Sequence, residues 1–303
     1  MRTSAVYLAA ALALSALLPD VAAAEGRLDK IKQAGAIVLG HPESSVPFAY
    51  LDDKQAPIGY SVEICQGIAA HVQKTLGLAK LDVRYNPTSS ATRIPLLANG
   101  TIDLECGNTT NNLERHKLVA FAPTTFVAEV VLTARKDGGV NVDDLASFRG
   151  KAIAAQAGGQ TFRLVSQLSA KNGYNITVIP TKDTAETFLM VESGRAAGSA
   201  QDSGLAYASV ASARASGDYV ISKKGLEPAP YGIVQPKDDP AFKKVVDEAV
   251  VGMIKSGKVA ALYQKYFLSP IPPKQINLNY PMSDILKRVL ASPTDSGDPT
   301  AYQ

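Results

Sequence analysis

The chain has 303 residues, 46% of them hydrophobic and 19% charged, with a formal net charge of +3. That balance excludes a disordered or fibrous protein and, at this length, suits about two domains that each bury a core. The basic residues are scattered and form no cluster interleaved with aromatics, which excludes the usual pattern of a nucleic-acid binder.

Met1-Arg2 gives a positive start, Val6 to Leu18 is an almost unbroken apolar run, and Ala22-Ala23-Ala24 supplies small residues before Glu25. This pattern predicts a secretory signal peptide over residues 1–24 and a mature chain starting near Glu25. No Cys stands at the cleavage site, so no lipid anchor is expected, and no later stretch reaches the ~18 apolar residues of a membrane span. Cys65 and Cys106 are an even pair in an exported chain, which invites a disulfide, with two buried free thiols as the alternative. The two cysteines and His41, His71 and His116 have no metal-ligand spacing, so neither a metal nor any other cofactor is expected.

After the leader, Ile37 to Gly40 reads as a buried strand. Ser61 to Leu76 reads as a helix with Val62, Ile64, Cys65, Ile68, Ala69, Val72 and Leu76 on one face. Leu81 to Tyr85 is a strand, Ala91 to Leu97 a short helix stopped by Asn99-Gly100, and Ile102 to Cys106 a strand. This β-α-β-α-β order predicts a parallel sheet with helices on its faces. The rhythm restarts after Gly150: strands at Lys151 to Gln156, Asn175 to Ile179 and Ala196 to Gln201, and helices at Thr161 to Lys171, Asp183 to Glu192 and Ser203 to Ala213. Asp183 is the expected N-cap of its helix, with Glu186 three places on. Asp239-Pro240 opens a helix to about Lys255, and Gly257 to Phe267 continues helically. A last helix at Ser283 to Leu290 precedes a Ser/Pro/Asp/Gly end expected to be mobile.

Two extended stretches, Ala122 to Arg135 and Glu227 to Gln235, separate the units. They predict a chain that leaves one lobe, builds a second and returns, so that a two-stranded hinge lets the lobes close on a ligand. Lobe one is expected at 25–125 and 231–303, and lobe two at 126–230.

Open α/β sheets bind ligands beyond the carboxyl ends of their strands, where helix N-termini offer free N–H groups. His41 to Phe48, Ser89 to Arg93, Gly107 to Thr110, Ala157 to Thr161 and Gln201 to Ser203 fall there, and their chemistry suits a zwitterion. Arg93 offers a planar fork to a carboxylate, with the hydroxyls of Ser90 and Thr110 beside it. Asp202 offers a negative partner to an ammonium, and Phe48 and Tyr60 offer apolar surface to a side chain. The plainer readings are a surface ion pair for Arg93 and an N-cap for Asp202. Gly252 to Lys258 resembles the start of a phosphate-binding loop, but Val259 replaces the required hydroxyl residue and a helix, not a strand, precedes it. Asp103 and Glu105, two apart on one strand, read as structural.

The sequence resembles the polar amino-acid solute-binding proteins of ABC importers, and within them the glutamate/aspartate-binding branch. The resemblance is carried by Gly40-His41, Glu43-Ser44-Ser45-Val46-Pro47-Phe48, Gly59-Tyr60-Ser61, Arg93-Ile94-Pro95-Leu96-Leu97-Ala98-Asn99-Gly100 and Glu105-Cys106-Gly107-Asn108-Thr109-Thr110-Asn111-Asn112. Glu192-Ser193-Gly194-Arg195, Lys237-Asp238-Asp239-Pro240 and Pro270-Ile271-Pro272-Pro273-Lys274 extend it over the mature chain. It implies an α/β, two-lobe periplasmic-binding-protein (type II) fold, each lobe a parallel-dominated sheet with flanking helices. It also implies a soluble periplasmic monomer that serves an inner-membrane permease and performs no catalysis. Arg93 and Thr110 are implied to hold the ligand α-carboxylate and Asp202 the α-ammonium, assisted by Ser90 and the backbone near Asn108, which stands where a Ser is usual.

Two departures bear on the ligand. The branch has an Arg directly after Gly-His, where this chain has Pro42, and a His after Lys-Asp, where it has Thr184; by resemblance these cations hold a side-chain carboxylate. Gly159-Gln160 also replaces a Thr-Thr pair ahead of Thr161. The expected ligand therefore has a neutral or polar side chain facing Gln160 and Thr184, with glutamate or aspartate as the alternative if His41 or Lys182 restores a charge. Periplasmic cyclohexadienyl dehydratases also resemble these binders; they need a general acid in the cleft, for which Glu43 is the candidate.

Overall fold

The computed structural model describes residues 26–302, and the expected signal peptide lies outside them. Among the described residues no helix is long and apolar enough to cross a membrane. The first lobe is built on a five-stranded sheet in the order Asp82–Pro87, Ala36–His41, Leu104–Glu105, Val234–Gln235, Ala120–Phe121. The first three strands are parallel, and Val234–Gln235 runs antiparallel to its two neighbours. Ala36–His41 is apolar along nearly its whole length because it is covered on both faces. Helix Tyr60–Thr75 buries the stripe Val62, Ile64, Cys65, Ile68, Ala69 and Val72 against helices Pro240–Lys255 and Lys258–Phe267. Cys65 on that stripe is disulfide-bonded to Cys106, which follows strand Leu104–Glu105.

The second lobe orders its strands Thr177–Thr181, Ala152–Gln156, Gly198–Asp202, Phe126–Arg135, Tyr219–Ile221, with Pro228–Tyr231 paired to the first half of Phe126–Arg135. The first three are parallel, and Phe126–Arg135 is antiparallel to Gly198–Asp202. The stretch expected as a connection is thus largely a long strand of the second sheet, buried at every position but Glu129 and Arg135. The chain passes between the two sheets twice, from Phe121 to Phe126 and from Tyr231 to Val234. A small antiparallel sheet of Ser44–Ser45, Ala49–Leu51 and Pro57–Ile58 was not anticipated.

Local chemistry sets the element boundaries. The helix expected from Ala91 begins at Arg93, because Ser89 and Thr92 cap each other through side-chain bonds to backbone N–H groups at 2.9 and 3.2 Å. The strand expected from Asn175 begins at Thr177: Gly173 ends the preceding helix at φ 62°, and Asn175 takes φ 53°, a conformation its short polar side chain tolerates. Asp183 caps Glu186 N at 2.8 Å and Asp239 caps Phe242 N at 2.8 Å, both as expected.

The carboxyl-terminal end departs from expectation. Tyr302 is fully buried, and its hydroxyl bonds to Thr124 at 2.8 Å and to the Ser296 carbonyl at 2.7 Å. Thr124 N donates to the Thr294 carbonyl at 2.8 Å, and Lys243 pairs with Asp295 at 2.8 Å. One aromatic anchor and a few backbone bonds hold this end on the crossover segment, which its polar composition does not reveal.

Candidate functional site

Residues at or just past the carboxyl ends of the parallel strands of both lobes line one polar cleft. It has two chambers, of about 180 Å³ and about 20 Å³, that share Ser90, Arg93, Asn108 and Gln156. Thr110, Gln160, Thr161 and Asp202 line the smaller chamber; Pro42, Ser45, Thr88 and Glu105 line the larger. Of the residues singled out from sequence, Arg93, Asp202, Thr110, Ser90, Asn108, Gln160 and Thr161 therefore meet here.

Phe48 and Thr184 do not. Phe48 is fully buried among Tyr60, Phe126, Tyr231 and Phe267, with ring centroids 4.8 to 6.3 Å away, and lines neither chamber. Tyr60 is equally buried and donates its hydroxyl to the Thr125 carbonyl at 2.7 Å. Their aromatic surface is spent on the core beneath the crossover, not offered to a ligand. Thr184 bonds Ser45 across the lobes at 3.3 Å and lines a separate groove of about 350 Å³. That groove is larger but mainly apolar; the convergent polar groups are in the smaller cleft.

Several of the cleft's polar atoms lack partners. Arg93 is 5% exposed and Asp202 6% exposed, yet Arg93 Nε and Asp202 Oδ1 are buried with no hydrogen-bond partner among the described residues. Glu105 Oε1 and Gln201 Oε1 share that condition. Buried polar groups are normally satisfied, so this concentration marks a place where a polar ligand completes the set. Asp202 begins helix Ser203–Ser212 but makes no side-chain cap bond; its Oδ2 accepts from the Tyr231 hydroxyl instead. The plainer N-cap reading therefore does not hold for its side chain. Helix Gln160–Asn172 likewise starts from Gly159 without a side-chain cap, leaving first-turn N–H groups at the cleft.

Arg115 was not singled out from sequence. It is 3% exposed and donates from Nη1 to the Thr110 carbonyl at 2.7 Å, fixing the loop that carries Asn108 and Thr110. Burial, aided by Arg93 and Arg163, pushes its pKa down to about 9, still protonated at neutral pH. Its position five residues past Thr110 was the available signal, but an Arg in a polar loop defaults to the surface. Glu105, read as structural, is 1% exposed; burial raises its pKa, and Arg93 and the bond from Thr109 oppose this. Gly107 leaves room beside it: a Cβ there would lie 2.4 Å from Glu105 Oε1 and 2.8 Å from the Pro42 ring.

The lobes are closed on one another. Asn112 Nδ2 donates to Gln160 Oε1 at 3.2 Å, and Gln160 Nε2 donates to Glu227 at 2.9 Å. The Gln160 amide, expected to read a ligand side chain, is engaged by protein on both ends. Gly158, at φ +72°, lets the second lobe's loop approach the first; a Cβ there would lie 3.0 Å from Ala91 Cα. His41 does not replace a missing cation: its ring is buried edge-on to Tyr85, burial lowers its pKa, and it lines neither chamber. Lys182 lines the larger chamber, but its side chain is 79% exposed, 3.7 Å from Asp183. Glu43 is exposed at the mouth, not enclosed as a cleft acid must be.

Burial raises the Asp202 pKa from 3.8 to about 6, with the Tyr231 bond, Arg115 and Arg93 opposing it. A carboxylate whose folded pKa is raised gives stability that is fully present below its unfolded pKa and lost as pH rises through the folded pKa. In the ligand-free protein this group is thus expected to add stability as pH falls from about 7 towards 4. An ammonium ligand needs the ionised form, so affinity is expected to fall towards tenfold per unit below about pH 6. Calorimetric melts and titrations across pH 4–8 check both trends, which have opposite sign.

A profile of the bacterial extracellular solute-binding proteins, family 3, matches residues 37–269. The chain is 42% identical over 298 residues to the L-glutamate/L-aspartate-binding protein of Pseudomonas aeruginosa, covering 97% of this chain and 98% of that one. It is 40% identical over 289 residues to the glutamate/aspartate import solute-binding protein of Escherichia coli, covering 94% and 95%. Among solved structures, a mutant of ArgBP from T. maritima superposes with a TM-score of 0.71 at 28% identity, over 79% of this chain and 98% of that one.

Proposed function

The chain belongs to the bacterial extracellular solute-binding proteins, family 3, and from that membership we propose that it is the periplasmic receptor of an ABC importer that captures an amino acid between its lobes. The observation that carries the ligand class is the pair of buried, unpartnered atoms Arg93 Nε and Asp202 Oδ1 in residues lining one cleft. A guanidinium suits a carboxylate and a carboxylate suits an ammonium, so the two match the poles of an amino acid. The matched relatives are transport proteins, not enzymes, and the permease partner is proposed on the same ground. The sheet membership of Phe126–Arg135 supports a lobe boundary at 125/126, whereas strand Pro228–Tyr231 carries the second lobe through Tyr231, one residue past the expected 230/231.

The charge balance supports a neutral side chain. When Glu105 and Asp202 are both ionised, they balance the two buried guanidiniums of Arg93 and Arg115. A zwitterion adds one charge of each sign and keeps the sum at zero. A second ligand carboxylate leaves one negative charge unmatched in a desolvated space, at a cost of several kcal/mol. The chamber beyond Arg93 is lined by Pro42, Ser45, Thr88 and Ser89, by the acids Glu43 and Asp183, and by Lys182, whose side chain is mostly exposed. The relatives' names favour a second reading, glutamate or aspartate, whose side chain would reach Lys182 at the mouth. A thermal-shift screen over the amino acids decides between them. We expect the largest upward shift with a neutral polar amino acid such as L-glutamine or L-asparagine. A largest shift with L-glutamate or L-aspartate selects the second reading, and no shift with any amino acid defeats both.

A further inference from the structure

We propose that Tyr231 is a positioning residue that clamps one oxygen of Asp202 and so presents the other to the ligand's ammonium. This rests on Asp202 being the ammonium's partner. Tyr231 ends strand Pro228–Tyr231 where the chain returns to the first lobe, and it is 2% exposed. Its hydroxyl donates to Asp202 Oδ2, and the Asn108 side chain favours the ionised form of the same hydroxyl. Its backbone forms an isolated antiparallel bridge with Thr110, and Asn111 N donates to the neighbouring Pro230 carbonyl at 2.7 Å. One crossover residue therefore holds Asp202 of the second lobe in register with Asn108 and Thr110 of the first.

The ring keeps the hydroxyl in place. It packs against Phe48 at 5.1 Å and Phe126 at 5.6 Å, so it has no room to swing. With Oδ2 fixed, the carboxylate plane is fixed, and the unpartnered Oδ1 has one direction. The other groups facing Asp202 are Arg115, Arg93 and Glu227. The two guanidiniums and the hydroxyl favour the ionised form; burial and Glu227 oppose it. Without the hydroxyl the ionised carboxylate loses the hydrogen bond that holds Oδ2, so its plane is no longer fixed and it takes up a proton more readily.

Tyr231→Phe removes only the hydroxyl and keeps the ring packing. Two measurements test it against wild type. The first is the ligand-free titration of Asp202 by ¹³C NMR of carboxyl-labelled protein, with the Asp202 signal identified by its loss in Asp202→Asn. The second is calorimetric titration with L-glutamine from pH 5 to 8. The expected result is an Asp202 titration moved up by about one unit. L-glutamine binding should weaken about tenfold to thirtyfold at pH 7, with its acid limb moved up in step. A merely structural role lowers the ligand-free melting midpoint and leaves that limb where it was. An unmoved Asp202 titration, or a moved titration with unchanged affinity, overturns the proposal. If wild type gives no heat with L-glutamine, the neutral-ligand reading fails separately, and the ligand-free titration still decides whether Tyr231 sets the state of Asp202.

Discussion

Replacing Arg93 with alanine abolishes ligand-induced thermal stabilisation, and so does replacing Asp202 with alanine. Both side chains are nearly fully buried in the closed cleft, and each offers an atom that no group among the described residues satisfies. Removing one leaves a ligand pole enclosed without a counter-charge, and truncating one partner of a buried charge pair costs about 2–5 kcal/mol. At a ligand concentration 100 times the dissociation constant, wild type gains about 2.7 kcal/mol. For a chain of this size that is a midpoint shift of about 5–10 °C. A site weakened about 1000-fold gains under about 0.1 kcal/mol at the same concentration. The ligand-free midpoint of each variant separates loss of binding from loss of folding. Full stabilisation of both variants would remove Arg93 and Asp202 from the site.

The second large effect concerns the disulfide. Cys65 sits mid-helix and Cys106 directly ahead of the Gly107–Thr110 loop, and both are fully buried. The bond closes a loop with a sequence separation of 41 residues, which in the chain-entropy account stabilises by about 4 kcal/mol. The Cys65→Ala/Cys106→Ala double variant is expected to melt about 10 °C below the oxidised protein. It should also bind more weakly, because the loop bearing Asn108 and Thr110 loses its anchor to the helix behind it. Calorimetry of the two proteins measures the first effect and isothermal titration the second. Equal midpoints would show that packing alone holds this helix to the sheet.

What could be read from sequence followed the strength of each local signal. The helix over Tyr60–Thr75 and the parallel strands have long apolar patterns that few other structures satisfy. The loops beyond those strands were legible as a site because their position follows from βα order. Strand Phe126–Arg135 was read mostly as a connection, since its partners lie some 70 to 100 positions ahead in the chain. Arg115 and Tyr231 escaped notice for a related reason. An arginine in a polar loop and a tyrosine at a crossover look ordinary until the fold buries the first on the Thr110 carbonyl and the second on Asp202. Gln160 lines the cleft, but sequence could not show that its amide bonds Asn112 and Glu227 there. Phe48 was assigned to the cleft by its neighbours in sequence, whereas its ring turns into the aromatic core.

The most direct measurement is a crystal structure of the protein with its tightest-binding amino acid. The account predicts the ligand carboxylate against the Arg93 guanidinium and its ammonium within about 3 Å of Asp202 Oδ1, with the Tyr231 hydroxyl still on Oδ2. An occupant without an amine, or an Arg93 side chain turned out to solvent, would contradict it.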